Sequence, residues 1–143
     1  MIHLVDVDGG NWRTPLRVSK EQERYVANNA TILARAYAYR NSRSRAFFIY
    51  EDEGPVGMGL YYDDESLDAY IFSELFIDER FQGKGFGKEA TKLILDNMKK
   101  DGKYGKVILC YIEGNEAARE LYKSYGFAEV DRDEDEIIME LRL

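Results

Sequence analysis

The stretch Asp78-Glu79-Arg80-Phe81-Gln82-Gly83-Lys84-Gly85-Phe86-Gly87-Lys88 is the part of the sequence best suited to chemistry. Its alternating glycines let main-chain N–H groups converge, and a helix starting just after them aims the positive end of its dipole at the same point. Both features suit an anion, and a phosphate above all. Arg80, Lys84, Lys88 and Lys92 add cationic side chains at or just beyond the loop. A tight turn with no ligand is the competing explanation, and the four flanking cations weigh against it. Two other phosphate loops fail on spacing. Walker A needs four residues between Gly and Gly-Lys, then Ser or Thr, but three separate Gly83 from Gly87-Lys88 and Glu89 follows. A dinucleotide loop needs G-x-G-x-x-G, whereas Gly83, Gly85 and Gly87 run G-x-G-x-G.

A second group lies downstream: Asn115, Ala118, Leu121, Tyr122, then Gly126-Phe127. By spacing alone Tyr122 falls with Ala118, Leu121 and Tyr125 on one helical face and reads as core. Taken with the loop, the residues resemble the GNAT family of N-acetyltransferases. Gln82-Gly83-Lys84-Gly85-Phe86-Gly87 is similar to that family's pyrophosphate signature Q/R-x-x-G-x-G/A, and Leu75-Phe76-Ile77 is similar to the strand before it. The downstream group resembles N-x-x-A-x-x-x-Y followed by Gly-Phe. Trp12, Gln22, Val26, Asn29, Leu33, Ala36 and Tyr37 are similar to the N-terminal half of bacterial spermine/spermidine acetyltransferases.

The resemblance implies acetyl-CoA as cosubstrate and no metal. Main-chain groups of Leu75 and Ile77 would pair with the acetyl-pantetheine arm as a strand does, with Phe76 between them. Main-chain N–H groups of Gln82, Gly83, Gly85, Gly87 and Lys88, in the loop that also holds Lys84 and Phe86, would hold the pyrophosphate. Asn115 would contact the pantetheine arm. Tyr122 would protonate the departing thiolate as general acid. An amine with a lysine-like value near 10.4 is almost wholly charged at pH 7, and neutralising it costs about 4–5 kcal/mol. Glu74 could bind the cation and pass its proton through water, although a strand glutamate also commonly just faces solvent. Asp63, Asp64 and Glu65, with Tyr61, Tyr62 and Tyr70, could recognise a polycation by charge pairing and cation–π contact.

These residues need elements to hold them. Ile2 to Val7 reads as a short edge strand closed by Asp8-Gly9-Gly10, and Trp12 to Arg40 as two short helices broken at Asn28-Asn29. Ala46 to Tyr50, Val56 to Tyr62 and Ala69 to Ile77 are aromatic and β-branched and read as three antiparallel strands. Beyond Gly87, Ala90, Leu93, Ile94, Asn97 and Met98 fall on one helical face, stopped at Asp101-Gly102. Lys106 to Ile112 reads as a buried strand, Glu116 to Tyr125 as a helix, and Phe127 to Leu143 as a hairpin turning near Glu134. The expected architecture is one α/β domain over residues 1–143: a mixed, mostly antiparallel sheet flanked by helices, with a parallel crossover from Ala69–Ile77 to Val107–Ile112.

Composition excludes several classes. A chain of 143 residues that is 45% hydrophobic and 33% charged is neither disordered nor a membrane protein, and its net charge of −7 argues against nucleic acid as a partner. Lone Cys110 and His3 make neither a disulfide nor a zinc site, so Cys110 reads as an inert buried residue and His3 as a surface or edge residue. A cytoplasmic location is the expectation. The charge is unevenly spread: Glu51 to Glu79 holds ten acidic residues and no Lys or Arg, while Arg80 to Lys106 holds eight basic residues against three acidic ones. Acidic strands beside a basic loop suit a cationic acceptor and a phosphorylated donor, and favour acetyl transfer to a primary amine such as spermidine or spermine. Transfer to a protein N-terminus or lysine, and a non-catalytic acyl-CoA sensor, are the alternatives. Exposed aromatics and a terminal hairpin are compatible with a homodimer.

Overall fold

Runs of aromatic and β-branched residues pack well on a pleated surface, and they pair here into one seven-stranded sheet. The computed structural model describes residues 1–143. In chain order the elements are β1 His3–Asp6, α1 Asn29–Ala38, β2 Arg45–Glu51, β3 Gly54–Asp64, β4 Ala69–Ile77, α2 Phe86–Asp101, β5 Lys106–Ile112, α3 Glu116–Ser124, β6 Ala128–Asp133 and β7 Glu136–Arg142. The strands lie in the order β1-β2-β3-β4-β5-β7-β6. All neighbours are antiparallel except β4 and β5, which are parallel and joined through α2. The expected mixed sheet, its single crossover and the terminal hairpin are therefore present.

The N-terminal quarter departs from expectation. Between Trp12 and Arg40 there is one α-helix, not two, preceded by a single 3-10 turn at Lys20–Gln22. Leu16 is buried while Arg17 is exposed and donates its main-chain N–H to Asp78 Oδ2 at 3.0 Å. That run is extended along the sheet, so its apolar residues follow a period of two. Asn28 caps the helix that does form, accepting from the Thr31 N–H at 2.8 Å.

Apolar residues split into two clusters, one on each face of the sheet. Leu16, Ile32, Phe48, Met58, Leu60 and Phe76 pack on the α1 face. Phe47, Ile49, Tyr70, Phe72, Ile94, Met98 and Tyr122 belong to the larger cluster on the α2 and α3 face. Helix α1 lies chiefly over β2 and β3 and reaches β4 through Arg35. Residue 110 on β5 therefore lies beyond its cover, and Cys110 is exposed rather than buried as expected. Its thiol is nonetheless pushed above its ordinary value by partial desolvation and by Glu136 and Asp133, which fits an unreactive group.

Two irregularities of β4 set up the site. Leu60 pairs with Glu74 and Tyr61 with Phe72, so Ser73 is an extra residue, a β-bulge. It inverts the alternation: Tyr70 and Phe72 face α2, whereas Glu74 and Phe76 face α1. Opposite the bulge, Gly59 permits close packing, because a Cβ there would stand 2.6 Å from the Phe47 ring and 3.0 Å from the Glu74 carbonyl oxygen. On its other edge, β4 pairs with β5 only at Tyr70–Val107 and Ile71–Ile108. Beyond Ile71 the two strands part.

Candidate active site

Where β4 and β5 separate, main-chain donors and acceptors of β4 lose their neighbouring strand, and such groups need partners. The gap is a cavity of about 310 Å³. It is lined by Leu75, Phe76 and Ile77 from β4, Gln82, Gly83 and Gly87 from the glycine loop and the start of α2, and Asn115, Ala118, Leu121 and Tyr122 at and along α3. Eight of the residues singled out in the sequence thus meet at one place: Leu75, Phe76, Ile77, Gln82, Gly83, Gly87, Asn115 and Tyr122. Phe76 turns its side chain into the α1-face cluster, so its contribution is main-chain.

The glycine loop is shaped by backbone that other residues adopt poorly. Gly83 and Gly85 have φ of +78° and +83°, and a Cβ on either would meet nothing within 4 Å, so conformation rather than space demands glycine. Gly85 is the N-cap of α2 and no side chain caps that end. The first-turn N–H groups, from Phe86 to Lys88, therefore point out of the helix without an intrahelical acceptor. This is a cradle for an anion, and it fits the pyrophosphate expected there. The Phe86 ring packs against the core, leaving only its main-chain N–H for the cradle. The expected ring of four cations is reduced to two. Arg80 is bound to Asp78 at 2.8 Å and Lys92 to Asp96 at 2.9 Å, while Lys84 and Lys88 have no carboxylate partner.

Two residues that hold this loop, Asp78 and Gln22, and a third that lines the cavity, Tyr25, carried no sequence signal of these roles. Asp78 is almost fully buried and accepts from the main-chain N–H groups of Arg17 and Arg80 at 3.0 and 2.9 Å. Burial pushes its carboxyl upward, but these hydrogen bonds and the Arg80 charge more than offset that and leave it below its ordinary value. Gln22 exchanges two side-chain amide bonds with Gln82, each 3.0 Å, while Gln82 also donates to the Ile77 carbonyl at 2.8 Å. Tyr25 lines the cavity and lies over Gly114, where a Cβ would stand 3.0 Å from its hydroxyl. Asn115 was singled out, and its side chain proves to cap α3, accepting from the Ala118 N–H at 3.2 Å.

Tyr122 lines the gap, whereas Glu74 lies beside it with its side chain on the α1 face. Tyr122 is buried, with the rings of Phe72 and Phe127 edge-on at 5.8 and 5.7 Å. Burial, and then the Glu74 charge, hold its phenol well above the ordinary tyrosine value, so it stays protonated. Turned by the bulge toward α1, Glu74 accepts from Arg35 Nη1 at 2.8 Å. Burial raises the Glu74 carboxyl, and Arg35 offsets part of that rise. Arg35 follows buried Ile32 by three residues on α1, and a cation on a helix's inner face was the signal available in the sequence.

Of the acidic and aromatic group expected to recognise a polycation, Asp63, Asp64 and Tyr70 are elsewhere and already occupied, while Tyr62 lies beside Ser73 and Arg35. Asp63 is buried and paired with Arg43 at 2.6 Å and Lys103 at 3.3 Å. Asp64 binds Ser66 and the Leu67 N–H of its own turn. Tyr70 is fully buried with its hydroxyl donating to Asp101 at 2.5 Å. Asp63 and Asp64 pair with Tyr70 and Ala69, at the far end of β4 from Leu75 and Ile77. Contiguous in sequence, these acids are used up by local cations and a turn.

A mixed sheet that parts at its one parallel pair, above a glycine loop leading into a helix, defines the acyl-CoA N-acyltransferase fold of the GNAT enzymes. The chain belongs to the Acetyltransferase (GNAT) family, whose model matches residues 11–127. It is an acetyltransferase of that family. A curated relative, the spermine/spermidine N(1)-acetyltransferase of Bacillus subtilis (strain 168), is 29% identical over 118 residues, covering 78% of this chain and 76% of the relative. Spermidine N-acetyltransferase from Vibrio cholerae, solved with CoA and spermine, superposes with a TM-score of 0.78 at 19% identity, covering 99% and 95% of the two chains. The ribosomal-protein-S18-alanine N-acetyltransferase of Escherichia coli also gives 0.78 at 19% identity, covering 99% and 94%. No helix is long and apolar enough to cross a membrane, and no group of His, Cys, Asp or Glu is placed to hold a metal.

Proposed function

We propose that this protein transfers an acetyl group from acetyl-CoA to a primary amine, with a polyamine as its acceptor. The gap between β4 and β5 carries the proposal: it joins an open strand edge, an uncapped helix start and a protonated phenol in one cavity. The donor supplies an activated acetyl thioester. Main-chain groups of Leu75 and Ile77 hold its extended arm, those of Gln82 to Lys88 hold its phosphates, and the Asn115 amide reaches the arm. Lys84 and Lys88 offset the phosphate charge. Tyr122 keeps its proton at neutral pH and gives it to the leaving sulfur.

On the α1 side a second cavity of about 360 Å³ adjoins the first, sharing Val18, Val26 and Phe76 and carrying Glu23, while Glu74 faces the same side without lining either cavity. We assign the amine to that side. A carboxyl raised by burial is a better proton acceptor than an ordinary one, and it receives the ammonium proton directly or through water. The polyamine rests on the named activity of the Bacillus subtilis relative and on these two glutamates. The test is acetyl-CoA consumption by the purified protein across spermidine, spermine, an aminoglycoside and lysine or N-terminal peptides. Turnover of either polyamine at least about tenfold above every peptide is expected. The reverse ranking would move the acceptor to a protein amine, and cofactor binding without any turnover would leave a sensor.

A further inference from the structure

On the α1 face of β4 the Glu74 carboxylate does not stand alone. Its side chain is 14% exposed, and its one ion-pair partner, Arg35, comes from α1 with a side chain 33% exposed. The same Nη1 atom that reaches Glu74 Oε1 at 2.8 Å also donates to Ser73 Oγ at 3.0 Å. Ser73 is the bulge residue that turns Glu74 toward α1, so one guanidinium holds both the carboxylate and the backbone irregularity that aims it. The other titratable groups near Glu74 are phenols: Tyr122 from α3, and Tyr62 from β3, which lies beside Ser73 and Arg35 and stacks on Tyr39 at 4.0 Å. Both phenols stay neutral at physiological pH, with Tyr62 pushed up to about 12 chiefly by burial. Arg35 is thus the cation that balances Glu74.

We propose that Arg35 is a positioning residue for Glu74: by bridging the carboxylate and the Ser73 hydroxyl, it supplies the counter-charge of Glu74 and fixes it on the α1 side of β4, next to the gap. The role is indirect, since Arg35 does not line the main cavity. A carboxylate this enclosed loses much of its hydration, which favours the neutral acid, and a guanidinium in contact restores the charged form. Without Arg35 the carboxyl would hold its proton to higher pH, so less of it would be charged at neutral pH and free to take a proton from an ammonium. The geometry also lets an arriving ammonium compete with Arg35 for the same carboxylate, so acceptor and arginine share one counter-charge.

The inference rests on the base role proposed for Glu74, and its test separates the two. Carboxyl-carbon NMR of glutamate-labelled protein, with the Glu74 resonance assigned by its loss in Glu74→Gln, follows the titration without any turnover. Arg35→Met should raise the Glu74 midpoint by at least about one pH unit, within the range expected when a contacting opposite charge is removed. Arg35→Lys, which keeps the charge, should leave it within about half a unit of wild type. Arg35→Gln, which can still donate to Ser73, is the neutral variant to use if Arg35→Met melts early, and carries the same expectation. An unmoved or lowered midpoint in the neutral variants overturns the inference. Activity tests the other half: if Glu74→Gln acetylates amines as fast as wild type, the base role fails while the Arg35 titration result stands. A rate loss in Arg35→Met that is equal at all pH values, with the midpoint unmoved, would mark Arg35 as structural only and also overturn it.

Discussion

Tyr122 has a double character that its position in the sequence concealed. Its helical spacing with Ala118, Leu121 and Tyr125 marks a core face, and it is indeed buried between Phe72 and Phe127. Burial is what makes it usable as an acid, because a desolvated phenol near the Glu74 charge holds its proton. Tyr122→Phe should preserve CoA binding measured by calorimetry and slow acetyl transfer by about a hundredfold or more. An unchanged rate would remove Tyr122 from the chemistry. Arg35 was less legible, since a surface helix commonly carries arginine and only its spacing from Ile32 set it apart. Asp63 misled for a related reason: adjacency along a strand says nothing about which cations, here Arg43 and Lys103, fold back onto it.

At the level of elements, the strands and the two later helices were legible because their residue types and periods agree with the structure. The glycine loop was legible because its glycines carry the positive φ that permits it. The extended run before α1 was not, since apolar residues at mixed spacing over a long stretch imitate helix. The bulge at Ser73 was also invisible, because the alternation of Tyr70, Phe72, Glu74 and Phe76 looks unbroken in the sequence. Yet it decides which face Glu74 occupies. Deleting Ser73 would make Phe72 and Glu74 consecutive opposite Tyr61 and Leu60, so the bulge should be lost while Glu74 keeps facing α1. Losing the bulge and the Arg35–Ser73 hydrogen bond should cost about 1 kcal/mol, read as a lower midpoint in urea unfolding. A deletion variant that no longer folds would mean that Ser73 is not the extra residue of this strand.

Across the whole molecule, the sign change near residue 80 takes on a different meaning. Much of the acidic run is spent on tying the chain together, with Asp63 holding Arg43 and Lys103, Asp78 holding the loop, and Glu79 meeting Arg17. At the far end of β4 these ties include Asp101, which receives Arg43 and the Tyr70 hydroxyl. Arg43 and then Tyr70 hold the Asp101 carboxyl well below its ordinary value of 3.8. A depressed carboxyl stabilises the fold above the unfolded value, and the contribution disappears as pH falls through the folded one. Asp101→Asn should therefore melt below wild type at pH 7, and the gap should narrow as the pH drops below 3.8. A gap that stays constant down to pH 2 would show that the Asp101 charge is not what stabilises this corner.

The parting of β4 and β5 has one more consequence. Two register pairs, Tyr70–Val107 and Ile71–Ile108, are all that stitch the four-strand half of the sheet to the three-strand half, and the rest of that seam is open. A sheet normally closes such a seam with its own chain, whereas here an extended guest would have to complete it. Filling the gap then amounts to finishing the fold, so resistance to unfolding and occupancy of the seam rise together with the concentration of whatever fills it.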